Sequence, residues 1–346
     1  MNAEDLIALN DEIAGMARAG LPLDQGLAAL ARDMGKGRLR QVTATLAADL
    51  RAGHTLPEAL DRQGGRVPPF YASLVAAGMR TGRISDVLAT LTVYARTLAN
   101  LRSIVVDAIF YPSVVLVFGV ILFGFLCFFV LPRFDVIFKE FGIRLPAITE
   151  LALAIGRQPL QRLVIPILAL VFGLIVLRLT LRFTERGRRL WARWVYALPI
   201  AGTLIRSARL AAFTDLLAIL VDHEVPLPEA FRLAGEASSD PIMAGAARQV
   251  HEDLSHGMPL GEVLRGRGLV SEWVAWMTGL GERRGSLGKS LHQVAEMYRQ
   301  QVDMRAALLR TVLPPFLIIC MAGLFVIFFV IAVMLPIIRL LETLSQ

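Results

Sequence analysis

The chain of 346 residues is 55% hydrophobic and 19% charged, with a mean hydropathy of +0.58 and a net charge of +7. This composition argues against an ordinary soluble domain, in which about a quarter of the residues are charged, and favours a membrane protein. Both cysteines, Cys127 and Cys320, lie inside long apolar runs, so a disulfide framework is excluded.

Residues 1–106 are predicted to form a cytoplasmic helical domain. Acidic residues such as Glu4 and Asp5 precede any long apolar run, so no cleavable signal peptide is visible. Apolar residues then recur with the period of a helix, as at Leu6, Leu9 and Ile13. Further along, Thr55-x-x-Glu58 predicts a capping box at the start of a helix.

Long uncharged runs predict membrane spans. No charged residue lies between Asp107 and Arg133 or between Arg310 and Arg339. At about 1.5 Å per residue each run exceeds the hydrocarbon core of about 30 Å. We therefore predict transmembrane helices at 107–132 and 311–338. A shorter apolar run predicts another at 163–181, for which a buried or re-entrant helix is the alternative.

The distribution of basic residues predicts the topology. Arginines are concentrated just after the second predicted span, which places that flank in the cytoplasm under the positive-inside rule. The interpretation is a cytoplasmic N-terminus, a periplasmic loop at 133–162, a second cytoplasmic helical domain at 182–310 and a periplasmic tail at 339–346. Trp191 and Trp194 suit interfacial anchoring better than nucleic-acid binding, so no nucleic-acid partner is expected.

An internal repeat is visible when the sequence is compared with itself at an offset of about 204 residues. The segment 53–60, of pattern Gly-x-x-Leu-x-Glu-x-Leu, recurs at 257–264, and Gly78-x-x-x-Gly82 recurs at Gly281-x-x-x-Gly285. The register continues into the apolar runs, where Pro112 matches Pro315 and Pro132 matches Pro336. The predicted fold is all-α: two repeated cytoplasmic helical bundles and three transmembrane helices. The motif glycines fit helix C-caps and tight turns.

Motifs that would indicate chemistry are incomplete. Gly288-Lys289-Ser290 resembles the end of a phosphate-binding loop, but Arg283 stands where that loop needs glycine. His251 and His256 are five residues apart, which points the two rings in different directions on a helix. No ionisable residue lies in the interior of the predicted spans, since Asp107 stands at the first position of one and Arg178 near the end of another, and this argues against a transporter. We expect no catalytic, cofactor or metal site and no enzymatic activity.

A resemblance to a known family rests on the duplicated motifs, on Gly281-Glu282-x-x-Gly285-x-Leu287, and on the segments 131–134 and 145–149. Over nearly its whole length the chain resembles the type II secretion system F / type IV pilus inner-membrane platform family. The resemblance implies a scaffold in the bacterial inner membrane that couples a hexameric cytoplasmic assembly ATPase to pilin or pseudopilin extraction. Other inner-membrane assembly proteins, the lipid bilayer and further copies of the chain are the other implied partners.

The resemblance also implies family-motif positions that serve as possible partner contacts, and prolines that mark the membrane segments. The first set is Gly53, Leu56, Glu58, Gly78, Gly82, Gly257, Leu260, Glu262, Gly281, Glu282, Gly285 and Leu287. The second set is Pro132, Pro146, Pro315 and Pro336.

Two departures from the family pattern stand out. The first repeat has Gly78-Met79 where the family has Gly-Glu, and Pro314-Pro315 stands where Glu-Pro is common. Glu282 and the basic helix surfaces of the second domain are predicted to mark an interaction face, with a local ion pair to Arg283 or Arg284 as the alternative. A small permease or channel component, and a membrane-bound enzyme or receptor, are the competing functions.

Overall fold

The computed structural model describes residues 3–133 except 36, 65 and 131, residues 185–198, and residues 201–334 except 239 and 268, with isolated positions at 169, 172–173, 176, 179 and 338. Every regular element in these residues is helical, which confirms the predicted all-α class. The predicted span at 163–181, the loop at 133–162 and the tail at 339–346 lie almost wholly outside the described residues.

The two repeats contain the same series of helices. The first repeat comprises α1 (Ala3–Arg18), α2 (Leu23–Asp33), α3 (Arg38–Arg51), α4 (Leu56–Asp61), α5 (Pro69–Thr81) and α6 (Ile84–Phe125). A linking helix, α7 (Glu185–Ala197), precedes the second repeat. That repeat comprises α8 (Ala201–Asp222), α9 (Leu227–Ala237), α10 (Pro241–Ser255), α11 (Leu260–Arg267), α12 (Glu272–Arg283), α13 (Leu287–Thr311) and α14 (Leu313–Phe329).

Backbone details reproduce the repeat more closely than the sequence does. A π-helical turn follows each apolar helix, at Leu126–Val130 and at Val330–Met334. Each turn ends two residues before a proline of the sequence, Pro132 or Pro336. Because proline has no N–H and its ring crowds the preceding turn, the regular α-helical bonds cannot continue there. Pro336 itself lies outside the described residues.

The chain divides into two compact units, and the first contains the less apolar helices of both repeats, within Met1–Val105 and Ala192–Met304. Within each repeat the second and third helices pack closely, as do the fourth and fifth. The core is made of buried aliphatic side chains at the predicted helical spacing, such as Leu9 and Ile13 in α1 and Leu46 in α3. The repeats also contact each other, because α5 of the first packs against α9 of the second.

The second unit contains the apolar halves of the two repeats, within Val106–Trp191 and Arg305–Gln346. Here α6 runs beside the end of α13 and then beside α14, in the same direction. Near the start of this stretch Arg310 of α13 pairs with Asp107 at 3.4 Å, and further along Phe123 packs on Phe328 of α14 with ring centroids 5.0 Å apart. An apolar groove of about 810 Å³ lies between the two helices.

Two of the described helical stretches are long and apolar enough to cross a membrane, Ile84–Val130 and Leu287–Phe329, whose most apolar windows have mean hydropathies of 2.9 and 2.6. Most of their large apolar side chains are exposed, including Phe118, Ile121 and Ile319. A core helix of a soluble protein would bury such side chains, so this exposure favours contact with lipid.

The two repeats differ where their helices enter the apolar run. Helix α6 continues through Pro112, whereas the second repeat has a break at Val312 between α13 and α14. Pro314 and Pro315 together remove two successive N–H donors, so the carbonyls four residues earlier lose their helical partners. A single proline leaves one carbonyl without its helical partner, and a helix in an apolar environment tolerates this loss.

Candidate interaction surface

The motif at 53–60 forms a turn followed by the short helix α4. Gly53 adopts a positive φ of 91° directly after Ala52, the C-cap of α3, and Leu56 and Leu60 are buried. The predicted capping box forms: the backbone N–H of Thr55 donates to the Glu58 carboxylate at 2.8 Å. This hydrogen bond is the main reason that the pKa of Glu58 is lowered.

The motif at 257–264 has the same shape but a different cap. Gly257 adopts a φ of 80°, and Leu260 and Leu264 are buried. Pro259 stands where the first repeat has Thr55, so this position lacks both the hydroxyl and the N–H of a capping box. Glu262, the counterpart of Glu58, is exposed.

Glu282 supplies the missing cap from the neighbouring helix. Its two carboxylate oxygens accept a hydrogen bond from the backbone N–H of Leu260, at 3.2 and 3.0 Å. A carboxylate at a helix N-terminus satisfies an orphan donor and interacts favourably with the helix dipole. The structure thus brings together two motifs that lie 22 residues apart in sequence. Sequence reasoning missed this contact, although Pro259 in place of Thr55 was a usable signal.

The paired motif glycines have the two structural roles expected of them. Gly82, with a φ of 71°, is the left-handed C-cap of α5, and Gly285, with a φ of 65°, directly follows the C-cap Arg284 of α12. Gly78 and Gly281 allow the next helix to approach, because a Cβ on Gly78 would lie 2.7 Å from Val87 Cγ2 and one on Gly281 would collide with Ser290. The prediction of C-caps and tight turns is confirmed.

A charged cluster that the sequence reasoning did not identify joins α8 to α13. Asp215 is buried and pairs with Arg299 at 2.6 Å, and His292 contacts Asp222 at 2.9 Å. Burial raises the pKa of the Asp215 carboxyl, and the Arg299 charge opposes this rise. The first repeat has the same pair, Asp11 with Arg96 at 3.2 Å, but there it is exposed.

A second internal cluster fixes α7 to the second repeat. Asp240 is buried and caps α10 by accepting from the Ile242 N–H at 3.0 Å. Tyr196 donates to Asp240, and Arg209 donates to the Tyr196 hydroxyl at 3.0 Å. Burial raises the pKa of Tyr196 to about 12, so its hydroxyl remains a donor at neutral pH.

The remaining motif residues occupy structural positions or lie outside the described part. Leu287 begins α13 and is half-buried, Pro315 lies in the first turn of α14, and Pro132 follows the first π-helical turn. Pro146 and Pro336 are among the residues that are not described. His251 contacts the carbonyl of Pro228 at 2.8 Å through Nδ1. Within the described ranges, no group of three or more His, Cys, Asp or Glu is placed to hold a metal ion.

Comparison with known families decides the class of protein. The family model for the type II secretion system (T2SS), protein F, matches residues 11–132 and 213–336. The chain belongs to this family. The two matched segments each comprise most of a helical repeat and the apolar run that follows it, so the protein F domain corresponds to the repeat unit seen in the fold.

Relatives within the protein F family match nearly the whole chain. The type IV pilus assembly protein TapC of Aeromonas hydrophila is 28% identical over 97% of this chain and 81% of its own length. The type II secretion system protein F of Pseudomonas aeruginosa is 28% identical over 98% and 84%. The type IV pilus assembly protein PilC of Thermus thermophilus is 29% identical over 99% and 84%. The resemblance inferred from the duplicated motifs is confirmed.

Proposed function

We propose that this chain is the inner-membrane platform of a type II secretion or type IV pilus machine, and that it couples a cytoplasmic assembly ATPase to the extraction of pilin or pseudopilin subunits. The observation that carries the proposal is the similarity over 97–99% of the chain to relatives named for both systems. Because the similarity includes both soluble repeats and both apolar helices, it supports a shared role for the whole architecture and not for one domain alone.

The continuity of α6 supports a mechanical role. This helix runs unbroken from Ile84 to Phe125, from the soluble part of the first repeat into the apolar run. A continuous helix transmits a displacement along its axis with little loss, whereas the break at Val312 gives the second repeat a place to bend. The first repeat is thus suited to pass on motion and the second to accommodate it.

The parallel packing of α6 and α14 supports the predicted topology. If both helices cross the membrane in the same direction, the chain between them must return across it an odd number of times. A span at 163–181 supplies the return. The arginine-rich flank around Arg189 and Arg193 favours a cytoplasmic second repeat and N-terminus, and hence a periplasmic C-terminus.

The polar groups of the soluble repeats favour a scaffold over an enzyme. Asp215, the most deeply buried carboxylate of its cluster, is held by Arg299, and the buried Asp240 is held by Tyr196 and Arg209. Catalytic groups need a cleft and a substrate within reach, whereas these groups are held by one another and join helices. We propose that the protein has no catalytic activity of its own.

We further propose that the turn after α12 belongs to an interaction face. Arg283 and Arg284 are exposed there, while Glu282 holds α12 to the start of α11. Glu282 therefore positions this face through Leu260. This role differs from direct contact with a partner, and a substitution that restores the cap by another route would distinguish the two.

Co-purification from native membranes tests the platform role. Tagged protein is solubilised gently from cells that express the assembly machinery, and the co-purifying proteins are identified by mass spectrometry. We expect an assembly ATPase together with pilin-like subunits, enriched over an unrelated multi-pass protein carrying the same tag. Absence of both, in an extract where both are present, would contradict the proposal. The class of pilin recovered distinguishes secretion from pilus assembly.

A further inference from the structure

The two repeats contact each other through different surfaces. Helix α5 of the first repeat packs against α9 of the second. The neighbouring helices α6 and α8 also come close. Burial is the main cause that raises the pKa of Tyr94 in α6, and the negative charge of Asp215 in α8 raises it further. Burial lowers the pKa of His223, which also senses Asp222, Asp86 and Arg83. The α5–α6 surface of the first repeat thus lies against the α8–α9 surface of the second.

The equivalent of the covered α5–α6 surface is uncovered in the second repeat. Phe70 is 2% exposed, but Trp273 at the same position of α12 is 53% exposed, and Leu101 is 4% exposed where Met304 of α13 is 61% exposed. The side chains of this less covered surface follow helical spacing, so they form a stripe on α12 and another on α13. We name it the tryptophan face, and its members are Trp273, Trp276, Met277, Leu280, Met297 and Met304.

The first repeat shows the reverse situation on its other side. Leu233 of α9 is 2% exposed and Asp215 of α8 is buried, whereas their counterparts Ala29 and Asp11 are exposed. The uncovered residues again form a stripe on each of α1 and α2, and several of them are acidic. We name this surface the acidic face, and its members are Ala8, Asp11, Glu12, Gly26, Ala29 and Asp33.

Each repeat therefore carries one surface of each kind, and within the described residues one pair of them meets internally. In a head-to-tail contact two different surfaces meet, so each added copy still has one surface of each kind unoccupied, unlike in a twofold dimer. The contact therefore repeats between molecules until a ring closes or a filament grows. We propose that a second copy of this chain places its acidic face on the tryptophan face of the first, and so repeats between chains the contact that already joins the two repeats within one.

Two observations favour a second copy as the occupant. The helix that packs on α5 within the chain is α9, whose counterpart α2 carries part of the acidic face, so a partner of matching backbone shape exists on every copy. The charges also match: Glu12 and Asp33 are exposed on one face, beside an Asp11 that already pairs with Arg96, and Arg283, Arg284 and Lys289 are exposed beside the other. Exposed tryptophans bordered by polar groups are typical anchors of an interface between folded chains.

The internal contact predicts which residues meet between chains. The charge of Asp86 acts on His223 across the internal contact, in which α5 packs against α9. Their counterparts are Ala19 on the acidic side and Lys289 beside the tryptophan face, and both are exposed. Ala19 of one copy is therefore expected to lie near Lys289 of another.

Cysteine cross-linking in native membranes tests this register. In a full-length chain with Cys127→Ser and Cys320→Ser, one tagged form carries Ala19→Cys and a co-expressed form with a different tag carries Lys289→Cys. A bismaleimide reagent is expected to join the two forms, and a chain with both cysteines is expected to give a ladder of oligomers. Two forms that both carry Ala19→Cys should not be joined. Asp86→Cys with His223→Cys gives an internal cross-link as the positive control.

Substitution of the tryptophan face provides the second measurement. Trp273→Glu with Trp276→Glu is expected to reduce the intermolecular product at least tenfold and to leave the internal Asp86–His223 cross-link intact, which shows that the repeats still fold. Met79→Glu changes an exposed apolar residue outside both faces and should leave the ladder unchanged. The proposal is overturned if the mixed cysteines give no product while the internal control works. Efficient joining of Ala19→Cys to itself, or a tryptophan face cross-linked only to other proteins, would overturn it as well.

Discussion

The two repeats cap their fourth helix with different residues, and this difference gives a quantitative prediction. Glu282→Met gives the second repeat the residue that the first has at Met79, and removes the carboxylate from the Leu260 N–H. A hydrogen bond to a charged group contributes about 1.5–3 kcal/mol, and loss of a helix cap costs about 0.5–2 kcal/mol. Because Glu282 is half-exposed and water replaces part of the contact, we expect a cost of about 1 kcal/mol.

A second substitution should recover that loss. Pro259→Thr recreates Thr-x-x-Glu with Glu262 in the position that Glu58 has in the first repeat. The cost of Glu282→Met is then expected to fall by about half or more in the Pro259→Thr background, because the capping box satisfies the start of α11 from within. A role of Glu282 in binding a partner directly would not be restored in this way.

Hydrogen exchange at the Leu260 amide measures the effect locally. A loss of about 1 kcal/mol corresponds to exchange about five times faster if the amide opens locally. Glu282→Met should produce this increase, and the double variant should reverse most of it. Met79→Glu is the matched control in the first repeat, where Thr55 and Glu58 already cap α4, so exchange at Leu56 should not change. Unchanged exchange at Leu260 in Glu282→Met would refute the assignment of the cap.

Four further predictions concern the repeats. Glu224 has a φ of 58° where the first repeat has Gly20, so Glu224→Gly is expected to stabilise the protein by about 1 kcal/mol and Gly20→Ala to destabilise it similarly, measured by thermal unfolding in detergent. Asp215→Asn is expected to cost about 3 kcal/mol because it leaves Arg299 without its buried partner, whereas Asp11→Asn should cost under about 1 kcal/mol. Burial holds the pKa of His223 below 6.5 in the folded chain, so the unfolded chain binds a proton first as the pH falls. The free energy of unfolding should therefore decline as the pH falls below 6.5, until the pKa of the folded state is passed. This decline should be smaller in His223→Gln. Pro314→Ala with Pro315→Ala should join α13 to α14 and slow hydrogen exchange around Val312.

Each of these has a result that would contradict it. If Glu224→Gly and a Glu→Gly substitution elsewhere on the surface change the thermal stability equally, backbone strain at Glu224 is not the cause. Equal costs at Asp215 and Asp11 would mean that burial does not distinguish the two pairs. An identical pH profile in His223→Gln would remove His223 as the titrating group, and unchanged exchange near Val312 would mean that the break has another origin.

Local features of the fold were predictable because they depend on residues close in sequence. The capping box at Thr55 and Glu58 needs a hydroxyl and a carboxylate three residues apart, and the helix ends at Gly82 and Gly285 need only a residue that tolerates a positive φ. The duplication and the apolar runs are equally visible in the sequence, and they led to the correct family.

Features that depend on packing between helices were not predictable in the same way. The contact of Glu282 with Leu260 requires α11 and α12 to lie side by side, and the sequence alone allowed an ion pair with the adjacent arginines just as well. The pairs Asp11–Arg96 and Asp215–Arg299 occupy equivalent positions in sequence, but only the three-dimensional contact between the repeats determines that one is exposed and the other buried.

The one-sided contact between the repeats has a genetic consequence. Although both copies have the same helices, α9 requires a residue such as Leu233 where α2 has Ala29, and α5 requires Phe70 where α12 has Trp273. Recombination between the halves of the gene would place the wrong side chain at a buried position and would also erase an exposed surface. Selection should therefore oppose homogenisation of the two halves, and their sequences should remain most different along these stripes even while their backbones stay alike.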